Sequence, residues 1–303
     1  MGAEIRNMAV SVRQRLLNKA RESDRLFNEV LLLYAMERLL YRISKSEYAD
    51  RFFLKGALMF SVWSGSSSRP TADIDLLGRI DNFPETVAKA IVESCRIQVT
   101  PDGMEYDPES VTANTIISGV EYRGVRCTLW SYLGNARIKL QIDVGFGDII
   151  VPEPIGLVYP TILVFPPPEL FGYSMESTIA EKLHAMHKLS VINSRMKDFY
   201  DIWFLSRSFD FQGIPLAAAI NATFINRKTV IYIDISSFKS SFYKNEYTQI
   251  QWSAFRSKSH LDKAPSSFES VVKDIRAFLQ PVLNAITNNE PFDYSWSATG
   301  LWN

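Results

Sequence analysis

Phe52-Phe53-Leu54-Lys55-Gly56-Ala57-Leu58-Met59, a Ser/Gly loop, and then Arg69-Pro70-Thr71-Ala72-Asp73-Ile74-Asp75-Leu76-Leu77 form the stretch whose reading decides the fold. Its last five residues have the pattern of a short buried strand. Side chains two apart on a strand share a face, so Asp73 and Asp75 project together while Ile74 and Leu76 point the other way. Two carboxylates on one face repel each other and are costly to desolvate without a cation between them. Mg²⁺, a hard ion that takes oxygen ligands and is shared with substrate phosphates, suits such a pair. The plainer reading of D-x-D is a turn capped by Asp73 and a surface ion pair from Asp75. Apolar flanks on both sides, the glycine-bearing segment before the pair and Arg69 four residues ahead of Asp73 favour the metal reading.

Working outward, residues 10–20 read as a basic amphipathic helix with Val12, Leu16 and Leu17 on one side. Residues 25–44 read as a longer helix with a wide apolar face. Asn82-Phe83-Pro84-Glu85 starts another, expected to end near residue 93. Alternating segments at 115–118, 122–129 and 137–144 are expected strands. In the last, Asp143 shares a face with Lys139 and Gln141. A third carboxylate at the end of a neighbouring strand would complete a two-metal site. Pro152, Pro154, Pro160 and Pro166-Pro167-Pro168 mark a junction between an α/β domain over residues 1–165 and a mainly helical domain over 166–303.

Past the junction, residues 176–189 form an expected helix with Ile179, Leu183 and Met186 as its stripe and Lys182 beside it. An ammonium there could contact a phosphate or leaving group, or snorkel and pair with an acid on the next helix. That helix, residues 196–206, carries Asp198 and Asp201 on one face. A structural Lys–Asp bridge and a catalytic one fit the pattern equally. His184 and His187 lack the second motif a di-metal bundle needs and read as helix-surface residues. Between residues 223 and 263, seven Lys or Arg face three acids, with eight aromatics interleaved. This composition allows single-stranded RNA contact but reads more simply as core rings with solvated lysines. The tail, residues 291–303, reads as a coil that packs Trp296 and Trp302.

The 303 residues carry 33 Lys or Arg against 33 Asp or Glu, a net charge of zero that excludes a global field for nucleic acid. Cys95 and Cys127 have neither the number nor the spacing of a disulfide framework or zinc site. The basic N-terminus lacks the apolar run of a secretory signal, and no segment reaches the length of a membrane span. The expectation is a cytoplasmic protein with no membrane partner.

LKGALM, RPTADIDLL, IKLQIDVGFGD, IAEKLHAM and NSRMKDFYDIWFL occur in one order between residues 52 and 206, and together they resemble the AbiEii/AbiGii-type nucleotidyltransferase toxins. The resemblance implies an α+β fold, with a nucleotidyltransferase-like mixed sheet, flanking helices and a mainly helical C-terminal domain. It implies Asp73, Asp75 and Asp143 as metal ligands for Mg²⁺, Lys182 as the essential lysine, and Asp198, with Asp201, as the late acidic position. Lys55, Gly56, Ala57, Arg69 and Thr71 fall to nucleotide binding, with Lys182. Gly56-Ala57 departs from the superfamily's Gly-Ser or Gly-Gly, which removes one hydroxyl from the triphosphate contacts. The implied activity is transfer of a nucleoside monophosphate from an NTP to RNA, expected to be a tRNA 3′ end. It would belong to a toxin–antitoxin or phage-defence system with a cognate antitoxin as partner. Transfer to a small molecule, or a non-catalytic nucleotide- or antitoxin-binding role, are the alternatives.

Overall fold

The structure is a computed structural model that describes residues 2–65, 69–118, 122–190, 193–298 and 300–303. Two compact units emerge: residues 1–147 with 155–173, and residues 148–154 with 174–303.

In the first unit, helices α1 (Gly2–Glu22) and α2 (Phe27–Ser44) precede strand β1 (Phe52–Lys55), helix α3 (Leu58–Ser64), strand β2 (Ile74–Gly78) and helix α4 (Pro84–Cys95). Three long strands follow, β3 (Met104–Ser118), β4 (Tyr122–Leu133) and β5 (Ala136–Gly145), then the short β6 (Ile155–Val158) and β7 (Glu169–Gly172). Among the described residues they make one seven-stranded mixed sheet in the order β3-β4-β5-β2-β1-β7-β6. The β2–β5 and β1–β7 pairs are parallel, and the other neighbours antiparallel. The proline-rich segment thus contributes one strand, β6, which lies at the sheet edge and itself contains no proline.

Strand alternation sorts the side chains. Leu54, Ile74, Leu76, Val125, Cys127, Ile142 and Val144 are buried in one core with Val12 and Leu16 of α1, much of α2, and Val87, Ala90 and Ile91 of α4. Pro84 begins α4 where its missing N–H costs nothing, and the 87, 90, 91 spacing turns one stripe to the sheet. Each such Leu, Ile or Val taken from water stabilises the fold by roughly 1.5–3 kcal/mol. Helix α2 also buries polar groups, each with a partner. Arg42 donates to both carboxylate oxygens of Asp102 at 2.8 and 3.1 Å, and the Tyr34 hydroxyl donates to the Asp102 carbonyl at 2.7 Å. These bonds tie α2 to the start of β3. The apolar layer leaves the other sheet face to Lys55, Asp75, Asp143 and Arg126.

The second unit holds helices α5 (Met175–Leu189), α6 (Met196–Ser208), α7 (Gly213–Asn226), α8 (Ser240–Tyr243), α9 (Glu246–Lys258) and α10 (Phe268–Asn288). Three short strands accompany them, β8 (Phe211–Gln212), β9 (Ser295–Ser297) and β10 (Leu301–Trp302), in the order β10-β9-β8. The tail is therefore paired where a coil was expected. The cause is its tryptophans: the Trp296 N–H donates to the Ser206 carbonyl at 2.7 Å and the Trp302 N–H to the Phe278 carbonyl at 2.9 Å. Trp296 is buried and Trp302 half-buried, and each indole satisfies its one donor, which fixes the strands that carry them. Of the aromatics between 223 and 263, Phe224, Phe238, Phe242, Tyr243 and Trp252 are buried, while Tyr232 and Tyr247 are exposed. Most of that composition is core. No helix is long and apolar enough to cross a membrane among the described residues.

Candidate active site

Asp73 immediately precedes β2, Asp75 lies within it, and Asp143 is on β5. Parallel pairing sets Asp75 opposite Asp143, while Ile74 pairs with Ile142 in the core layer. The three half-buried carboxylates each offer an oxygen, and those oxygens lie within 4.8 Å of one another. A cluster of anionic oxygen donors at this spacing fits a hard divalent cation such as Mg²⁺ and does not suit a metal that prefers nitrogen or sulfur.

The surroundings orient the acids. The Thr71 hydroxyl donates to Asp73 Oδ1 at 2.8 Å. Gly56 turns the chain out of β1 with φ +71°, and a Cβ placed there would stand 2.1 Å from Asp75 Oδ2. Glycine is thus required twice, by backbone conformation and by the approach of Asp75. Lys55 pairs in register with Asp75, and its ammonium lies 4.9 Å from the centre of the Tyr173 ring. Ala57 is buried at the N-terminal end of α3. Arg69 is half-buried, with a guanidinium nitrogen 3.4 Å from the Pro70 carbonyl oxygen. Ser66, Ser67 and Ser68 of the Ser/Gly loop lie outside the described residues.

Arg126 of β4 was not singled out in the sequence. Its Nε donates to Asp143 Oδ1 at 2.8 Å and its Nη2 to Asp143 Oδ2 at 2.7 Å. That hydrogen-bonded fork, outweighing partial burial, raises the guanidinium's pKa further, with Asp73 and Asp75 adding smaller attractions. The Gln141 carboxamide, turned so that both its ends are satisfied, presents its oxygen to Arg126 Nε and Nη2 at 3.3 Å each. The signal for Arg126 was its alternation between Val125 and Cys127, which marks it as facing away from the core. Its partner depends on strand register, which the sequence did not reveal.

Within the second unit, Lys182 of α5 bridges Asp198 at 3.1 Å and Asp201 at 2.6 Å, both acids on α6 and both fully buried. Arg195 Nε adds a contact of 2.7 Å to Asp198. The i, i+3 spacing delivers both acids to one lysine, and the pairing compensates the desolvation of all three groups. His184 does not lie on the helix surface as expected. It is buried, with Nε2 3.0 Å from the Thr229 hydroxyl and Nδ1 3.2 Å from Arg227 Nη1. Burial first, and Arg227 second, pull its pKa down to about 4. Arg227 Nη2 in turn donates to Asp148 at 2.8 Å, so the histidine is part of a neutral-and-charged network within this unit. His187 stacks on Tyr232 with ring centres 5.4 Å apart.

These features are carboxylates converging from adjacent strands of a mixed sheet beside a glycine turn, a set that could hold a divalent metal ion. The model of a family described as nucleotidyl transferase AbiEii toxin, type IV toxin–antitoxin system, matches residues 38–280, and the chain belongs to that family. Membership implies a nucleotide substrate and an antitoxin partner. Among solved structures, JHP933 from Helicobacter pylori is similar to this chain, with 11% identity, a TM-score of 0.46, and coverage of 86% of this chain and 94% of that one. A "putative nucleotidyltransferase from H. pylori" is similar at 12% identity and a TM-score of 0.45, covering 86% of this chain and 97% of that one. No curated protein matches.

Proposed function

We propose that this chain transfers a nucleoside monophosphate from an NTP to a hydroxyl of an RNA acceptor, the 3′ end of a tRNA, as the toxin of its toxin–antitoxin pair. The observation that carries the reading is the convergence of Asp73, Asp75 and Asp143 on adjacent strands, in a chain of this family. The three carboxylates would hold Mg²⁺, which when bound neutralises phosphate charge and polarises the reacting phosphorus. Thr71 fixes the Asp73 carboxylate, and the glycine turn at Gly56 leaves room for Asp75. Lys55 and Arg69 supply cations for the triphosphate in the first unit. Lys182, held in place by Asp198 and Asp201 within the second unit, takes the place of the family's essential lysine. Positioning and charge stabilisation of this kind, with no covalent intermediate on the protein, is how phosphoryl-group transfers are generally accelerated.

The test is incubation of the purified protein with Mg²⁺, total bacterial tRNA and each labelled NTP in turn, beside Asp73→Asn. Label entering tRNA with the wild type and not with Asp73→Asn is the expected result. Label on a small-molecule acceptor alone would replace the RNA in this reading. NTP binding with no transfer to any acceptor would overturn it.

A further inference from the structure

Strand register lays four charged residues side by side across the sheet. Arg126 of β4 stands opposite Asp143 of β5, Asp143 opposite Asp75 of β2, and Asp75 opposite Lys55 of β1. Directly paired residues share a face, so the row reads cation, acid, acid, cation. Its two ends differ. The Lys55 ammonium is a point charge that lies against the Tyr173 ring. Arg126 instead grips Asp143 end-on, one nitrogen to each carboxylate oxygen, at 2.8 and 2.7 Å. A guanidinium in that position occupies the seat a cation would take to bind both oxygens of the same carboxylate, and leaves the outer lone pairs for anything else.

We propose that Arg126 is an internal counter-cation that competes with the metal for Asp143, and so sets how tightly the three-carboxylate cluster takes up a divalent ion. The inference rests on the reading that this cluster holds metal. Arg126 is a positioning residue in this account: it acts through Asp143 and need not touch substrate. Two observations distinguish it from an ordinary cross-strand pair. Its partner is one of the three converging carboxylates, and its side chain is 43% exposed against 16% for Asp143, so the guanidinium has open solvent into which it can withdraw.

The test is Mn²⁺ binding in the absence of nucleotide, followed by the loss of the free-ion electron paramagnetic resonance signal. The wild type, Arg126→Gln, Arg126→Lys and Asp73→Asn are compared, with a thermal melt of each to establish folding. Removing a unit charge beside a ligand oxygen should tighten Mn²⁺ binding by about tenfold in Arg126→Gln. Arg126→Lys, which keeps the charge but loses the fork, should fall between that variant and the wild type. Weaker or unchanged binding in folded Arg126→Gln, with Asp73→Asn still abolishing it, would overturn the competition while leaving the metal cluster standing. Equal binding by the wild type and Asp73→Asn would instead remove the cluster reading on which the inference rests.

Discussion

Replacing Gly56 with alanine isolates what the close approach of the glycine turn to Asp75 contributes, because the chain contains its own control. Gly56 and Gly65 both have φ +71°. At Gly65 an added Cβ meets nothing within 4 Å among the described residues, so Gly65→Ala carries only the cost of a left-handed residue, about 1–2 kcal/mol. At Gly56 the same methyl stands 2.1 Å from Asp75 Oδ2 and 2.8 Å from both Cβ and Cγ of that residue. Rotating the carboxylate cannot relieve contacts to Cβ and Cγ, so the whole Asp75 side chain must move, by roughly 1 Å to regain ordinary carbon–carbon spacing. Overpacking of this kind adds about 1–3 kcal/mol to the backbone cost. A displacement near 1 Å at a positioned group lowers a rate by about 10²-fold. Both variants should therefore melt below the wild type, with Gly56→Ala the lower of the two. Only Gly56→Ala should lose most of its nucleotide transfer, measured with the labelled donor that the screen above identifies. A Gly56→Ala protein that transfers as fast as Gly65→Ala would refute the claim that this glycine protects the position of Asp75.

Other perturbations follow from the second unit. Lys182→Met leaves Asp198 and Asp201 buried without their shared cation, and should lower stability by about 3–5 kcal/mol. A shifted urea midpoint checks this, and a midpoint equal to the wild type's would refute it. His184 contributes a pH dependence of known sign. Its pKa is depressed on folding, from 6.5 to about 4, so the folded state favours the neutral ring. The associated stability is present above the unfolded value near 6.5 and is lost as pH falls toward 4. The difference in melting temperature between wild type and His184→Gln should shrink over that interval. A difference independent of pH would mean the ring is not held neutral.

That Asp73 and Asp75 share a face was legible in local sequence because the signal is short-range. Asp143 was tied to them through the family resemblance, and only the β2–β5 register sets it opposite Asp75. The period of two puts Asp73 and Asp75 on one face, and the same alternation puts Asp143 opposite the apolar Ile142 and Val144. The α5 and α6 spacings put Lys182 beside the apolar stripe and Asp198 and Asp201 on one face with their partner left open, and the structure joins the three. Arg126 escaped because its role depends on which strand lies beside which. Alternation places it on the polar face, but only the β4–β5 register gives it Asp143. His184 was misread for a related reason. The helix it sits on has a clear stripe at Ile179, Leu183 and Met186, yet α7 covers a second face of that helix, with the Phe224 ring edge-on to His184 at 5.1 Å. The tail strands were missed because segments of two or three residues carry no periodic signal, and their tryptophans decide the pairing.

The charged row across β4, β5, β2 and β1 also bears on how the molecule reaches its native state. Each of its members is flanked in sequence by residues that belong to the apolar layer, Val125 and Cys127, Ile142 and Val144, Ile74 and Leu76, and Leu54. A slip of one residue between any two of these strands would carry an ion into the hydrocarbon side and a branched aliphatic out to water. Such an intermediate is penalised on both faces at once. Correct alignment of β2 with β5 and the meeting of Asp75 with Asp143 are therefore one event, and a one-residue slip loses both the core layer and the pairing of those two acids.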